Sequence, residues 1–296
     1  TAPTLAIGGI LKSTGGNIRV GKSDYFVTEA CEYTNSFLSF FPNISIILNI
    51  EEDHMDFFQD IEDIRRSFRK FAELLPDDGC LIINRQIDHV EQLTEGLRCR
   101  VITFGAAADA DYSFAGARYD ALGRACYTLT KKGENCGTVN LGVVGEHNIL
   151  NSLSVIALTD LLGIDYKTVR DALSSFSGTD RRFELKGEMC GIKILDDYAH
   201  HPTEITATLK AAANYPHKNL WCVFQPHTYT RTKAFLHDFA SALTLADKIV
   251  LTDIYAAREK NTIGISSKDL LRELQKLGKE CYYFPSFDEI ENFLLK

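Results

Sequence analysis

The chain has 296 residues, enough for two domains of ordinary size. Its 45% hydrophobic and 24% charged residues are typical of a soluble globular protein. The formal net charge of −8 disfavours nucleic acid and anionic membrane surfaces, and no apolar run approaches the roughly 20 residues that a membrane-spanning helix needs. We therefore expect neither nucleic acid nor a membrane among its partners.

The eight cysteines are scattered along the chain and include no C-x-x-C pair. Most lie in apolar, strand-like runs. This pattern predicts reduced core residues of a cytoplasmic protein and disfavours a structural zinc site or a disulfide framework.

Two short apolar runs, Tyr25–Thr28 and Ile44–Ile50, are each followed at once by acidic residues. These are Glu29 and Glu32 after the first run, and Glu51, Glu52 and Asp53, with His54, after the second. Such runs are typical of buried parallel strands, and ligands bind beyond the carboxyl ends of such strands. We predict that the two strands are neighbours in one sheet, so that their ends form a site for a divalent cation over nucleotide phosphates. The alternative interpretation is that these acids are solvated turn residues.

Strands alternate with helices in the next part of the chain. The predicted elements are helix Ile61–Leu75, strand Cys80–Asn84, helix Ile87–Leu97 and strand Arg100–Phe104. This alternation predicts a doubly wound, mostly parallel sheet. Between Asp111 and Leu141, short alternating runs separated by glycine-containing turns predict a small antiparallel side sheet.

A helix is predicted from about His147 to Leu162, with Asn148 and Asn151 on one face of its first turns. Paired amides can read the edge of a nucleobase because each offers a donor and an acceptor, although asparagine near a helix start is more often a cap. Arg182 follows in the segment GTDRRFE. Its guanidinium suits phosphate oxygens or, alternatively, a surface ion pair.

A second αβ alternation begins near Phe183, so we predict an α/β protein with two doubly wound domains, residues 1–183 and 184–296, the second Rossmann-like. Three strands of the second half end in the polar segments DDYAHHPTEI, QPHTYTRT and DIYAAREK. Asp197 and His200 lie beside a predicted helix start, an arrangement that suits phosphate or ribose. His227 and Arg231 lie on the second of these loops.

These segments together resemble the Mur ligase family. The matching pieces are EACEYTNSFL, NIEEDHMD, GEHNILNSL, GTDRRFE, DDYAHHPTEI, FQPHTYTRT and DIYAARE, in the family's order. The resemblance implies an ATP-dependent ligase of peptidoglycan precursor synthesis. The motif sequences HTYTRT and DIYAARE resemble those of the family members that join L-alanine to UDP-N-acetylmuramate. It implies ATP and Mg²⁺ as cofactors and those two small molecules as substrates.

The resemblance also implies roles for individual residues. Glu29 and His54 match magnesium ligands. Asn148, Asn151 and the adjacent His147 match adenine contacts, and Arg182 matches a phosphate contact. Asp197 and His200 match the D-Y-A-H nucleotide element, and His227 and Arg231 match residues facing the muramyl carboxylate and the amino acid. The resemblance thus implies His227, Arg231 and His200 as the catalytic residues. The family often has arginine at the position of Thr228, which implies one fewer cation at the acyl phosphate here.

The family's glycine-rich phosphate loop, a G-T-x-G-K-T segment before a helix, does not occur in these residues. We therefore expect an interior piece of a three-domain enzyme that does not turn over alone. Two alternatives remain open: another amide ligase of the same fold, of the tripeptide-adding or folylpolyglutamate type, and a non-catalytic nucleotide-binding module. The sequence predicts no oligomeric state.

Overall fold

The computed structural model describes residues 2–11 and 14–296. The chain forms two compact units. The first extends to Asp196 without Ala121–Gly123, and the second contains those three residues and Asp197–Lys296. Within the described part of the chain, no helix is long and apolar enough to cross a membrane.

The first unit contains strands β1 to β11 and helices α1 to α4. The strands are β1 (Thr4–Leu11), β2 (Gly16–Arg19), β3 (Phe26–Thr28), β4 (Ile44–Ile47), β5 (Cys80–Asn84), β6 (Arg100–Phe104), β7 (Tyr112–Tyr119), β8 (Arg124–Lys131), β9 (Glu134–Val144), β10 (Glu184–Met189) and β11 (Ile192–Asp196). The helices are α1 (Ile61–Glu73), α2 (Val90–Thr94), α3 (His147–Leu161) and α4 (Tyr166–Ser175), with 3₁₀ turns in Tyr33–Ser39.

The main sheet has the order β4-β5-β6-β7-β8-β9 among the described residues. Strands β4 to β7 are parallel, and β7 to β9 are antiparallel. The predicted antiparallel strands exist, but they continue the main sheet instead of forming a separate one. The junction is the single pair Phe104↔Tyr112.

Both faces of the main sheet are covered by helices, as in a doubly wound fold. All five residues of β5 are buried, which explains the unbroken apolar run Cys80–Ile83. Ile82 packs in a core with Ile149 and Leu153 of α3. Leu81, which points to the other face, packs in a core with Phe71 of α1.

A second sheet has the order β2-β1-β3. Strand β3 is parallel to β1, with Leu5 opposite Val27. The prediction that β3 and β4 are neighbours in one sheet was wrong, because within the described residues β3 pairs with β1 and β4 pairs with β5. Hydrophobic pattern identifies a strand but does not specify its partner.

Strands β10 and β11 form an antiparallel hairpin. Cys190 and Gly191 both have positive φ, +52° and +79°, as a two-residue type I′ turn requires. The hairpin belongs to the first compact unit, whereas the sequence placed it in the second domain. The boundary at Phe183 stays a prediction.

The second unit has a parallel sheet with the order β12-β13-β14. Its strands are β12 (Trp221–Phe224), β13 (Lys248–Leu251) and β14 (Glu280–Tyr283). Its helices are α5 (Pro202–Ala213), α6 (Tyr229–Ala234), α7 (Leu236–Leu243), α8 (Ser267–Lys276) and α9 (Phe287–Leu294). The helix predicted after the second polar loop is therefore two helices, divided at Phe235.

Phe239→Ala is expected to lower the free energy of unfolding of the second unit by about 3–5 kcal/mol. Phe239 is fully buried, and its ring centroid lies 5.6 Å from that of Phe224. Urea unfolding followed by fluorescence of Trp221, the one tryptophan of the sequence, measures this loss. Phe287→Ala is the control, because Phe287 is 58% exposed; equal losses in both variants would contradict the prediction.

Candidate functional site

Strand β1 fixes the position of Glu29 in the first unit. The N–H of Gly8 donates to Glu29 Oε2 at 2.7 Å. A Cβ at position 8 would lie only 2.7 Å from that oxygen, so glycine allows the carboxylate to approach the strand. The side chain of Glu29, the residue that follows β3, is thus held against β1.

The loop that carries Arg182 is attached to the end of the same strand. Asp180 N donates to Ile10 O at 3.2 Å, and Leu11 forms a bridge with Thr179. Arg182 N donates to Thr179 O at 3.3 Å. Strand β1 therefore brings the Arg182 loop and Glu29 into the same neighbourhood, although they are far apart in sequence.

His54 lies in a group with residues that follow β3. Its Nε2 is 3.4 Å from Glu32 Oε1, and its ring centroid is 4.5 Å from that of Tyr33. The hydroxyl of Tyr33 donates to Asp56 at 2.7 Å. The hydrogen bond from His54 lowers the pKa of Glu32, against the opposing effect of burial, so Glu32 carries a negative charge at neutral pH.

Glu32 is a residue that the site assignment from sequence missed, although it was noted among the acids after the first run. The contacts described here link the segment of Glu29 to His54 through Glu32 and Tyr33. The spacing of the motifs does not show whether Glu29 or Glu32 is the neighbour of His54.

The donor chemistry of this region fits a hard divalent cation. The carboxylate of Glu29 fits above Gly8 only because no Cβ fills that space. Among the described residues, no group of three or more His, Cys, Asp or Glu side chains could hold a metal ion. Mg²⁺ usually takes one or two carboxylates and completes its shell with phosphate and water, so a sparse set of protein donors is compatible with it.

The start of α3 brings together His147, Asn148 and Asn151. Asn148 Nδ2 donates to Val144 O at 2.7 Å, and Asn151 Nδ2 donates to Asn148 Oδ1 at 3.2 Å. Asn148 Nδ2 also lies 3.1 Å from His147 Nε2. These bonds fix the amide orientations, as a rigid nucleobase-reading surface requires.

Gly145 makes this arrangement possible. Its φ is +94°, and a Cβ there would lie 2.6 Å from Cε1 of His147. The imidazole therefore packs directly over the glycine backbone.

In the second unit, Asp197 and His200 lie in the turn before α5. Asp197 Oδ1 accepts from Ala199 N at 2.8 Å, and Glu204 Oε2 accepts from His200 N at 2.9 Å. His200 Nδ1 is 2.8 Å from Tyr198 O. Because a carbonyl only accepts, Nδ1 of His200 carries a hydrogen, and in the neutral ring Nε2 is left as the acceptor.

The ring of His227 is the opposite tautomer from that of His200. Its Nδ1 is 3.0 Å from Nη1 of Arg231. Because guanidinium only donates, Nδ1 of His227 accepts, and the ring hydrogen lies on Nε2. The ring centroids of His200 and His227 are 5.7 Å apart, so the structure brings together all three predicted catalytic residues.

Burial lowers the pKa of His227, and the charges of Arg231 and His200 lower it further. The ordinary value is about 6.5. His227 is therefore neutral at pH 7 and gains a proton only in more acidic solution, which agrees with its role as acceptor for Arg231.

Parallel strands with carboxylates, imidazoles and amides at their ends are typical of α/β proteins that handle nucleotides. Comparison with known proteins identifies the family more specifically than this arrangement does. The model of the Mur ligase middle domain matches residues 11–159, and that of the Mur ligase glutamate ligase domain matches residues 181–296. The chain belongs to the Mur ligase family.

Its relatives include UDP-N-acetylmuramate–L-alanine ligases. Those of Lachnospira eligens and Agathobacter rectalis are 56% and 54% identical to 99% of the chain, which spans 64% of the length of each relative. The crystal structure of the UDP-N-acetylmuramate–alanine ligase of Thermotoga maritima matches 98% of the chain and 62% of that protein, with a TM-score of 0.80 and 30% identity. A MurF structure from Acinetobacter baumannii shares the fold over 92% of the chain and 57% of its own, with a TM-score of 0.72 at 18% identity.

Proposed function

We propose that this chain carries most of the catalytic apparatus of a UDP-N-acetylmuramate–L-alanine ligase. The proposal is supported by 56% identity to such an enzyme over 99% of the chain. The geometric observation that carries it is the grouping of His200, His227 and Arg231, with Arg231 bonded to His227 at 3.0 Å. The product would serve peptidoglycan precursor synthesis in the cytoplasm, and hence cell wall growth, cell shape and division.

The proposed reaction has two chemical steps. The lactyl carboxylate of UDP-N-acetylmuramate takes the γ-phosphoryl group of ATP, which gives an acyl phosphate and ADP. The amine of L-alanine then attacks the acyl carbon, and the tetrahedral intermediate releases phosphate as the amide forms. Both steps develop negative charge that fixed donors must stabilise, and the second needs the amine held beside the carbonyl.

The second unit offers groups suited to these needs. Arg231 supplies a fixed positive charge, and His227 presents an Nε2–H donor toward an oxygen that gains charge. In its neutral form the His200 ring presents an Nε2 acceptor, which suits the proton that the attacking amine loses. We assign His227 and Arg231 to the acyl phosphate and the amino acid, and Asp197 with His200 to the nucleotide-facing element.

The first unit is assigned to the nucleotide. Asn148, Asn151 and His147 would contact adenine, and Arg182 would contact phosphate. Glu29 and His54 would hold Mg²⁺, which when bound neutralises charge on the phosphates.

Release of ADP tests the proposed function. We expect a longer chain that includes a G-T-x-G-K-T loop before a helix to release ADP only with ATP, magnesium, UDP-N-acetylmuramate and L-alanine all present. We expect the 296-residue chain alone to release none, because it contains no G-T-x-G-K-T loop before a helix. Its one G-x-x-x-x-G-K-S match, Gly16–Ser23, begins in β2 and leads into β3 instead of a helix. Turnover by the 296 residues would refute the second expectation. A longer chain that is silent, or that prefers a tripeptide or glutamate, would refute the substrate assignment and favour the alternatives.

A further inference from the structure

The loops that leave β12 and β13 are joined beyond the ends of those strands. Thr228 N donates to Tyr255 O at 2.9 Å, and Tyr255 N donates to Pro226 O at 2.9 Å. His227 and Tyr255 thus form a parallel bridge, and their rings stack with centroids 5.7 Å apart. The backbone of His227 is fixed by the neighbouring loop.

Thr228 has a backbone conformation that must be held by its surroundings. Its φ of +62° and ψ of +150° lie in a region that residues with a Cβ rarely adopt. Its hydroxyl accepts from Arg231 N at 3.4 Å, and its carbonyl accepts from Thr232 Oγ1 at 2.6 Å. This unusual turn directs the chain into α6, the helix that carries Arg231.

Glu259, at the end of the DIYAARE segment, binds the other side of this turn. Its Oε2 accepts from Tyr229 N at 2.7 Å and from Thr230 N at 3.0 Å, and its Oε1 accepts from the Thr230 hydroxyl. Burial alone would raise the pKa of Glu259, but these hydrogen bonds outweigh it and lower the pKa. The group is therefore an ionised carboxylate bonded to the first two residues of α6.

We propose that Glu259 is a positioning residue for the reaction, a role that rests on the proposed function. It fixes the start of α6, so that Arg231 Nη1 reaches His227 Nδ1 and holds the ring hydrogen of His227 on Nε2. Glu259 is not among the site residues predicted from the sequence. The acid in DIYAARE is visible in the sequence, but its contact with Tyr229 and Thr230 spans about thirty residues.

The charged groups that face His227 give this role a distinct signature. Arg231, His200 and Arg258 lower the pKa of His227, as burial does, whereas Glu259 raises it. Glu259→Gln removes the negative charge and leaves an amide oxygen for the N–H donors. The pKa of His227 should therefore fall further, with its Nε2–H tautomer retained. Glu259→Ala removes both charge and acceptor, so the Nε2–H tautomer should lose its dominance.

The first test measures ¹⁵N shifts of the His227 ring against pH in the 296-residue chain. Asp269→Asn is the matched control, because Asp269 also accepts from a helix start, at Ser266 N (2.8 Å) and Ser266 Oγ (3.0 Å), within the same unit. We expect changes at His227 in both Glu259 variants and none in Asp269→Asn. An unchanged His227 tautomer and pKa in Glu259→Gln and Glu259→Ala would overturn the proposal; if Glu259→Ala does not fold, Glu259→Gln decides through the pKa alone.

The second test measures ADP release by the longer chain. A misplacement of catalytic groups costs on the order of 100-fold in rate, so Glu259→Ala should lower kcat by about that factor with little change in KM for ATP. Glu259→Gln should retain most of kcat and shift the acidic limb of the pH profile to lower pH. Unchanged kcat in Glu259→Ala would overturn the role in catalysis. Failure of the proposed function is recognised separately, because the unmodified longer chain would then release no ADP.

Discussion

Arg231→Ala in the longer chain is expected to lower kcat/KM for ligation by about 100- to 1,000-fold, the effect of removing one fixed donor from a developing oxyanion. Arg231 also donates to His227 Nδ1 at 3.0 Å. Its loss removes a positive charge and releases the imidazole at the same time. Initial rates of ADP release at varied L-alanine and UDP-N-acetylmuramate measure the effect.

Arg231→Lys is expected to recover little of this loss. Lysine keeps the charge, but its single ammonium lacks the planar fork that can donate to His227 and to a substrate oxygen together. Lys233→Ala is the control, because Lys233 lies exposed on the same helix. Near-normal kcat/KM in Arg231→Ala would contradict the assignment of Arg231 to the acyl phosphate.

The pKa of His227 supplies an independent readout of the same variant. Arg231 lowers this pKa, so Arg231→Ala should raise it, while burial still keeps it below the ordinary value. The acidic limb of the activity profile should move to higher pH for whatever activity remains. A shift to lower pH would contradict the contact between the two side chains.

Glu29→Gln is expected to raise the magnesium concentration needed for half-maximal ADP release by at least about tenfold, because a neutral amide is a weaker ligand than a carboxylate for a hard cation. His54→Ala is expected to act in the same direction, since it removes the imidazole that contacts Glu32 at 3.4 Å. Titrations of magnesium at fixed ATP measure both effects.

Two further variants separate a metal role from a structural one. Gly8→Ala leaves Glu29 in the chain but places a Cβ 2.7 Å from its oxygen, so it should also raise the magnesium requirement. Glu95→Gln changes an exposed carboxylate elsewhere in the first unit and should have no effect. An unchanged magnesium requirement in both Glu29→Gln and His54→Ala would remove them from the metal site.

The local sequence pattern was sufficient to predict the bounds of an element where burial determines which residue types can occur. Strands β5 and β6 have the bounds predicted for them, because a strand covered on both faces needs a mostly apolar run. The type I′ turn between β10 and β11 occurs where Gly191 allows it. Helix α2, by contrast, begins later than predicted, since His89 has a left-handed backbone before it.

The sequence alone determined the αβ alternation, the segments that follow the strands and, through its motifs, the family. Tertiary structure decided which of those segments meet. It paired β3 with β1 instead of β4, joined His54 to Glu32, and placed Glu259 against the start of α6. The physical reason is that apolar periodicity and turn residues report local burial and backbone preference, whereas strand partners and long-range hydrogen bonds depend on the packing of the whole unit.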